Sequence, residues 1–438
     1  MKSFLLWWSS RPLYVRILIA LLIGGTIGFS LNINGKPAWA LYMDLPSKMI
    51  LRMLSMLAPP LVLVAVVQAL VKTDIPSGVA RRLGGLLILN TTVAILIGLF
   101  VANVLQPGGG ALLQKPPVKA SLAAKETDPE KKLILETMEG VGYKAPEAKK
   151  DVFSTFIDNV PKSIGAPLNE NNVIGVIILA LMFGSALRKH RDTQVRSVVD
   201  FIDVAFSTLV AVLMGVLQWV PLGVGGVVAA IVAEKGLSPI FALGWFIVAV
   251  LCALFLQACW YLLRIRFTSW ASPKNVLVGC RDALVMAFST ASSTATMPVT
   301  YECLKKNVGL KERNASLGAL VGSNFNNDGT ALYEAVAALF VAQLLGIKLT
   351  LSAQVIVVLT SIVASVGAAG IPEAGLVTMA LVFNAVGLDT GFIALIFSVD
   401  WFLDRCRTAI NVMGDINIAC VLEGKDKSPT VEGELTSS

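Results

Sequence analysis

The chain has little charge for its length. Of its 438 residues, 15% are Asp, Glu, Lys or Arg and 55% are hydrophobic. An average soluble domain has about 25% charged and about 45–50% apolar residues. The shortage of charge therefore argues against a water-soluble globular protein and for a chain that lies largely in a membrane.

Residue types that commonly carry catalysis or bind metals are also scarce. His190 is the only histidine and lies in a basic segment, so Ser–His–Asp hydrolysis and histidine-based metal catalysis are poorly supported. The six cysteines include no Cys-x-x-Cys pair, which argues against a zinc site or a disulfide framework. They are Cys252, Cys259, Cys280, Cys303, Cys406 and Cys420.

Long apolar runs are abundant. A helix of about 20 apolar residues suffices to cross a bilayer, so the runs predict a polytopic α-helical membrane protein. The first run leads directly into further runs and lacks a small-residue cleavage pattern, so a cleaved signal peptide is not expected. The runs are Ile17–Leu31, Met49–Val71, Leu83–Leu105, Val173–Leu187, Val204–Val232, Ile240–Leu263, Leu317–Leu345 and Gly391–Leu422.

The net charge of +7 comes from basic residues that cluster in alternate connecting segments. The positive-inside rule makes these segments cytoplasmic, which predicts a multi-pass protein of the plasma or inner membrane with both termini inside. Membrane spans separate the clusters, so they form no continuous basic face and a nucleic-acid partner is not expected. The clusters are Lys2, Arg11 and Arg16; Lys72, Arg81 and Arg82; Arg188, Lys189, His190, Arg191 and Arg196; Arg264, Arg266, Lys274 and Arg281; and Lys305, Lys306, Lys311 and Arg313.

Two polar stretches lie outside the runs. Pro107–Asp151 is rich in Lys, Glu, Pro and Gly and is expected to be an outer loop, with a short helix around Glu130–Glu139. Glu423–Ser438 is expected to be a polar cytoplasmic tail.

Two regions of the C-terminal half have apolar arms around a small, polar or Gly/Pro tip. The tips are Ser289–Pro298 and Ser365–Gly375. This pattern predicts re-entrant hairpins, because non-helical backbone at membrane depth is tolerated only inside protein or beside an aqueous cavity. The half-helix N-termini at such tips favour anions. The alternative is a glycine-rich packing interface between ordinary spans.

A third break, Gly322–Thr330, contains three asparagines, an aspartate and two glycines. It is expected to unwind a helix and to leave carbonyl and carboxylate oxygens for a small cation such as Na⁺. Glu334 follows one turn later and is a candidate proton carrier. Its alternative role is that of a hydrogen-bonded core glutamate.

Residues 400–415, interpreted as a helix, place Asp400, Asp404, Arg407, Asn411 and Asp415 on one face. At about 100° per residue the five positions span an arc of about 80°. Ionisable groups at membrane depth are costly unless they find partners or a ligand, so this stripe predicts a binding site. The alternative is a soluble amphipathic helix with a salt-bridged outer face.

Four segments carry a resemblance that covers nearly the whole chain. They are Ser292–Pro298, Asn326–Thr330, Gly370–Gly375, and Asp400–Thr408 with Asn411 and Gly414-Asp415. Together they resemble the dicarboxylate/amino acid:cation symporter family, the glutamate and aspartate transporters. The resemblance implies eight transmembrane helices plus two re-entrant helical hairpins, a homotrimer in lipid and elevator-type alternating access.

The resemblance also implies domains. Residues 12–72 (TM1–TM2) and 152–233 (TM4–TM5) would form the scaffold, and 108–151 the outer loop. Residues 82–107 (TM3) and 238–422 (TM6, both hairpins, TM7 and TM8) would form the transport domain, with 423–438 as the tail.

Family roles then fall on matching positions. Arg407 would bind the substrate side-chain carboxylate, as a planar guanidinium is suited to do. Asp404, assisted by Thr408, would accept the ammonium, which favours an amino acid over a plain dicarboxylate. The remaining substrate-binding residues would be Asn411, Ser292, Ser293, Thr330, Ile371 and Gly375.

The resemblance implies co-transported Na⁺, with H⁺ carried on Glu334 and K⁺ counter-transported. One Na⁺ site would use Gly322, Asn326, Asn411 and Asp415. Another would use Asp328 with Asn326, Asn90 and Thr91, and Ser365 is a further candidate ligand. The chain departs from the family pattern at Asn324, Asn327, Leu87 and Ala368, which leaves the number of sodium ions open. Arg405 and Glu334 make the last two helices similar to the animal glutamate transporters.

The expected function is Na⁺-coupled, and further H⁺-coupled, symport of L-glutamate or L-aspartate, without enzymatic activity. Proton-driven uptake of acidic amino acids or dicarboxylates is the alternative. An intramembrane aspartyl protease using Asp400 and Asp404 belongs to a different class. It is opposed by Arg407, which would keep Asp404 ionised. A passive channel would need a continuous pore lining instead of an occluded pocket.

Overall fold

The computed structural model describes residues 10–33, 39–72, 77–109, 161–169, 173–189, 196–367 and 374–425. The predicted helix at Glu130–Glu139, the site residue Ile371 and most of the tail lie outside these ranges. Within them the regular structure is helical throughout, which agrees with the predicted all-α membrane protein.

The described helices are numbered in chain order. They are α1 (Leu13–Ile33), α2 (Ala40–Met43), α3 (Leu45–Lys72), α4 (Ser77–Leu105), α5 (Ala166–Asn169), α6 (Val173–Lys189), α7 (Arg196–Leu217), α8 (Val220–Lys235), α9 (Ser238–Thr268), α10 (Pro273–Gly279), α11 (Arg281–Thr290), α12 (Ser293–Glu302), α13 (Glu312–Ser316), α14 (Gly322–Phe325), α15 (Asp328–Leu344), α16 (Leu351–Gly367), α17 (Ala374–Ala385) and α18 (Ile393–Glu423). Single π turns occupy Cys303–Val308 and Leu317–Val321, and a 3₁₀ turn precedes α18.

Five of the described helices are long and apolar enough to cross a membrane. They contain Val15–Ile33, Leu45–Lys72, Arg81–Leu105, Ser197–Leu217 and Ile240–Thr268. Gly175–Arg188, Val220–Ala233 and Leu351–Ser365 are shorter apolar helices. The last helix, α18, is 31 residues long and carries the polar stripe.

Two sequence interpretations are corrected by the helix boundaries. The apolar run Val204–Val232 is divided between α7 and α8, because the chain turns at Gln218-Trp219 and restarts with Pro221 in the first turn of α8, where proline is well tolerated. Arg264 belongs to helix α9, which continues to Thr268, and it is 9% exposed. It is not part of a basic loop.

The N-terminal helices pack through small residues. Helix α1 lies against α8, and a Cβ on Gly28 would be 2.5 Å from the Ala229 carbonyl oxygen and 3.0 Å from the Ala229 Cα. Helix α3 packs against α6 and α7. Such close backbone approach at glycine is typical of helices that associate in membranes.

The C-terminal half is built around α15 and α18. Every residue of α15 from Asp328 to Ala342 is buried, as are most residues of α18. Helix α15 contacts α4, α9 and α18, and α18 contacts α9 and α11. Polar side chains on α15 and α18 are therefore removed from water and must find partners within the protein or in a ligand.

Two pairs of helices lie at the predicted hairpins. Helices α11 and α12 pack against each other, as do α16 and α17. In the first pair the turn is shorter than predicted, because only Ala291 and Ser292 separate the two helices and Pro298 lies inside α12. The tip of the second pair, residues 368–373, lies outside the described ranges.

The predicted break at Gly322–Thr330 is confined to two residues. Asn326 and Asn327 separate α14 from α15 and have non-helical backbone angles. Asp328 therefore stands at the start of α15, where a carboxylate interacts favourably with the helix dipole.

Candidate functional site

Arg407 lies at the centre of the polar stripe. Its side chain is 0% exposed, and its guanidinium pairs with Asp400 Oδ1 at 2.9 Å and with Asp404 Oδ1 at 2.6 Å. The Arg407 Cζ also lies 3.9 Å from the centroid of the Tyr333 ring, within the range of a cation–π contact. The stripe is therefore a buried ion cluster and not a solvated helix face.

Asp400 is a contact of Arg407 that the sequence interpretation did not assign. It is 0% exposed, whereas Asp404 is 6% exposed, so Asp404 is the more accessible of the two carboxylates. Two carboxylates share one guanidinium, and buried charges without compensation are costly. The cluster can therefore accommodate a further cationic group such as a ligand ammonium.

Several predicted substrate residues surround this cluster. The Thr408 hydroxyl donates to the Asp404 carbonyl at 2.8 Å. The Asn411 amide oxygen accepts from the Gly329 N–H at 2.8 Å, and its Nδ2 donates to Thr330 Oγ1 at 3.4 Å. Helices α15 and α18 thus hold Thr330 and Asn411 side by side next to Arg407.

Gly375 brings α17 to the same place. A Cβ at this position would lie 3.1 Å from Thr330 Cγ2 and 3.2 Å from each terminal nitrogen of Arg407. The absence of a side chain therefore lets the α17 backbone pack directly beside the guanidinium. Of the predicted substrate residues, Ile371 is outside the described ranges.

The hairpin serines have local partners. Ser292 caps α12, accepting from the Ala295 N–H at 3.1 Å, and the Ser293 hydroxyl donates to the Ser323 carbonyl at 3.0 Å. Ser293 links the hairpin tip to α14, while the first N–H groups of α12 mark a half-helix N-terminus that favours an anion.

Arg405 contacts the first hairpin. Its guanidinium donates to the carbonyls of Phe288, at 3.1 Å, and Ser289. Those carbonyls belong to the last turn of α11, where a cation is favourable. Arg405 therefore links α18 to the first hairpin through these hydrogen bonds.

Glu334 lies on α15, one turn beyond Thr330. It is 0% exposed, accepts a hydrogen bond from Thr378 of α17, and its Oε2 has no hydrogen-bond partner. A wholly buried carboxyl with one unsatisfied oxygen is costly as a bare anion. Its surroundings suit a group that binds and releases a proton.

One predicted cation set is assembled around Asp415. Its Oδ1 and the Asn326 Oδ1 are buried without hydrogen-bond partners. A Cβ on Gly322 would lie 2.7 Å from the Asp415 Cγ, so only glycine leaves this space open. Unpaired carboxylate and amide oxygens are the hard ligands that Na⁺ accepts, and this set fits the ion.

The other predicted set, around Asp328, is occupied by protein donors. Tyr261 donates to Asp328 Oδ2, and Thr91 donates to Asp328 Oδ1 at 2.7 Å. The Asn90 amide oxygen accepts from the guanidinium of Arg264. Sequence reasoning missed Tyr261 and Arg264. Their spacing of three residues, which places them on one face of α9, was the available signal.

Asn327 connects Ser365 of α16 with Asn411 of α18. Its amide donates to the Ser365 carbonyl at 2.9 Å, and its oxygen is 3.4 Å from Asn411 Nδ2. The predicted ligand Ser365 is thus hydrogen-bonded to the helix break and not free to use all its lone pairs.

Comparison with known proteins gives consistent results. A model of the sodium:dicarboxylate symporter family matches residues 13–425. Excitatory amino acid transporter 1 of Ambystoma tigrinum is 30% identical, over 95% of this chain and 83% of its own length. Excitatory amino acid transporter 2 of Homo sapiens is 31% identical, over 91% of this chain and 75% of its own length. An excitatory amino acid transporter of Caenorhabditis elegans is 30% identical, over 93% and 86% respectively.

These matches span almost all of the described helices and include the buried ion cluster, the helix break and both helix pairs. They confirm the resemblance drawn from the motifs, and they place the protein among membrane transporters and not among enzymes. The chain belongs to the sodium:dicarboxylate symporter family.

Proposed function

We propose that the protein imports L-glutamate or L-aspartate together with Na⁺. The observation that carries this proposal is the buried Arg407, paired with Asp400 and Asp404 and approached closely by the Gly375 backbone. The names of the relatives, excitatory amino acid transporters, support an amino acid as the substrate.

The substrate roles follow from the chemistry of the pocket. Arg407 has planar donors suited to the side-chain carboxylate of the substrate. Asp404, the more exposed of its partners, accepts the substrate ammonium. Asn411 and the start of α12 receive the α-carboxylate, since amide donors and helix N-termini bind anions.

The substrate exchanges one set of ion pairs for another. Within the protein, Arg407 pairs with Asp400 and Asp404. When the ammonium binds Asp404, the guanidinium becomes available to the incoming carboxylate. A dicarboxylate without an ammonium leaves Asp404 without that partner, which favours the amino acid.

Ion coupling is assigned to two buried carboxyl groups. Asp415 with Asn326 and Gly322 binds Na⁺ through oxygens that lack hydrogen-bond partners. Glu334 carries a co-transported proton, and K⁺ returns in exchange. The burial of Glu334 supports its role as a proton carrier, and potassium exchange is implied by the family resemblance alone.

The proposed movement is that of an elevator. Residues 12–72 and 152–233 form a scaffold that assembles three copies of the chain. Residues 82–107 and 238–422 move as a transport domain. Support comes from packing: α1 lies against α8 and α3 against α6 and α7, while α4, α9, α15 and α18 form a second group of contacts. Both termini are cytoplasmic in this proposal.

Uptake into proteoliposomes tests the function. Purified protein is reconstituted, and uptake of radiolabelled aspartate and glutamate is followed while Na⁺, K⁺ and pH gradients are imposed one at a time. An inward Na⁺ gradient is expected to drive accumulation above equilibrium. Accumulation driven by a pH gradient alone, with no response to Na⁺, would contradict sodium coupling.

A further inference from the structure

Asp328 is surrounded by protein groups on both carboxylate oxygens. Tyr261 of α9 donates to one oxygen and Thr91 of α4 donates to the other. Asp328 is 0% exposed, so bulk water does not reach the remaining lone pairs of its carboxylate oxygens. Hydrogen bonds satisfy the oxygens, but they supply no positive charge to compensate the carboxylate.

Arg264 supplies that charge. It lies one turn beyond Tyr261 on α9, is 9% exposed, and interacts electrostatically with both Asp328 and Tyr261. Its guanidinium donates to the amide oxygen of Asn90, the residue before Thr91. The arginine is therefore anchored beside Asp328 by the same turn of α4 that binds the carboxylate.

These hydrogen bonds engage the oxygen lone pairs that a metal ion would need as ligands. A sodium ion bound at Asp328 requires oxygen lone pairs from neighbours such as Asn90 and Thr91. The Asn90 oxygen is already an acceptor for a cation, and the Thr91 hydroxyl is a donor to Asp328. A fixed guanidinium next to this set would also repel a second cation.

The nearby Asp415, in contrast to Asp328, has an oxygen that no donor among the described residues satisfies. Its Oδ1 and the Asn326 oxygen have no hydrogen-bond partner, and Asp415 interacts electrostatically with Asp328. The two carboxylates and Arg264 together leave one negative charge uncompensated when both acids are ionised. One monovalent cation at Asp415 neutralises the group.

We propose that Arg264 is a built-in counterion that replaces a sodium ion at Asp328, so that Na⁺ binds the Asp415 set and not the Asp328 set. The inference rests on the proposed Na⁺ coupling and specifies its stoichiometry. The family resemblance implies Asp328, Asn90 and Thr91 as sodium ligands, and this proposal replaces that assignment with the Arg264 counterion.

The first test measures thermal stability of the purified protein in detergent without substrate, as Na⁺ replaces choline at constant chloride. A ligand that binds only the folded state raises the melting temperature with concentration. The native chain is expected to show this shift, Asp415→Asn to lose it, and Asp328→Asn to keep it at the same half-maximal Na⁺ concentration. Loss of the shift in Asp328→Asn, or its absence from the native chain, overturns the proposal.

The second test removes the guanidinium. Arg264→Met leaves Asp328 without its counterion and is expected to acquire a second Na⁺-dependent component of stabilisation, which Arg264→Met/Asp328→Asn lacks. Arg264→Lys keeps a fixed cation and is expected to behave like the native chain. A Met variant with the native Na⁺ dependence contradicts the proposal. If that variant does not fold, the comparison of Asp328→Asn with Asp415→Asn decides alone.

Flux ratios provide the transport readout. The ratio of ²²Na⁺ to radiolabelled aspartate taken up by proteoliposomes is expected to rise by about one ion in Arg264→Met relative to the native chain, and an unchanged ratio counts against the proposal. The detergent measurement needs no amino acid. The expected sodium shifts without any aspartate or glutamate uptake would refute the proposed function and support the assignment of Arg264.

Discussion

At the scale of single residues, Glu334 is the group expected to link transport to pH. It is wholly buried and has one oxygen without a hydrogen-bond partner. Replacing it by glutamine keeps the Thr378 contact and removes the titration. Glu334→Gln is therefore expected to abolish the pH dependence of net uptake in proteoliposomes.

The matched control is Glu302→Gln, which changes an exposed glutamate paired with Lys306. It is expected to retain the native pH profile. A pH dependence that survives in Glu334→Gln would assign the proton to another group.

Gly375 offers a second test of the pocket. The added methyl group of Gly375→Ala would lie 3.1 Å from Thr330 and 3.2 Å from Arg407, in the space assigned to the substrate. We expect the KM for aspartate to rise about tenfold, which corresponds to about 1.4 kcal/mol of lost binding. Gly85→Ala, on a helix position where nothing lies within 4 Å, is expected to leave KM unchanged. Equal KM values in the two variants would place the substrate elsewhere.

The sequence predicted part of this site for a clear reason. Asp404, Arg407, Asn411 and Asp415 lie on one helix, and helical periodicity alone brings them together. It did not show that Asp400 shares Arg407, because spacing does not reveal which rotamer a long side chain adopts. Arg264 was assigned to a loop by its charge, since a helix end extended by one turn cannot be recognised in a basic segment.

At the scale of elements, the breaks were predictable and their lengths were not. Clusters of Gly, Asn, Ser and Pro indicated interruptions at Gly322–Thr330 and at Ser289–Pro298. The structure confines them to Asn326-Asn327 and Ala291-Ser292. Ser292 starts α12 because its hydroxyl caps the Ala295 N–H, and in the run of three hydroxyl residues 292–294 the sequence does not identify the capping residue.

The contact between α1 and α8 can be tested by adding volume. In Gly28→Val the Cβ alone would meet the Ala229 backbone at 2.5–3.0 Å, and forcing extra atoms into a packed interface costs about 1–3 kcal/mol. The melting temperature in detergent is expected to fall by several degrees. Gly25→Val, three residues earlier with nothing within 4 Å, is the control and is expected to melt near the native temperature. Equal melting temperatures of the Gly28→Val and Gly25→Val variants would show that α1 and α8 are not closely packed at Gly28.

At the scale of the whole molecule, composition predicted the membrane class, and the helix packing could not be derived from it. The run Val204–Val232 appeared as one span, but α7 and α8 make different contacts. Hydropathy reports how apolar a segment is, whereas packing depends on residues far apart in sequence. The proposed domain boundaries therefore rest on resemblance and on the contact pattern.

The elevator proposal predicts that the scaffold and the transport domain move past one another. Ala65 of α3 and Asn324 of α14 line the same small cavity and belong to different proposed domains. In a chain whose cysteines are replaced by alanine, oxidative cross-linking of Ala65→Cys with Asn324→Cys is expected to stop uptake, and reduction to restore it. Each single cysteine variant should be insensitive to the oxidant. Continued transport by the cross-linked protein would argue against relative movement at this interface.

The most direct test of the account is equilibrium binding of radiolabelled aspartate and glutamate to the purified protein in the presence of Na⁺. Arg407→Ala removes the guanidinium that pairs with Asp400 and lies beside Gly375. Binding is expected to become undetectable. Arg407→Lys keeps the charge without the planar pair of donors and is expected to bind at least tenfold more weakly. Arg281→Ala, at an exposed arginine, should bind as the native chain does. Undiminished binding by Arg407→Ala would contradict the central claim that this buried arginine is present to receive an acidic substrate.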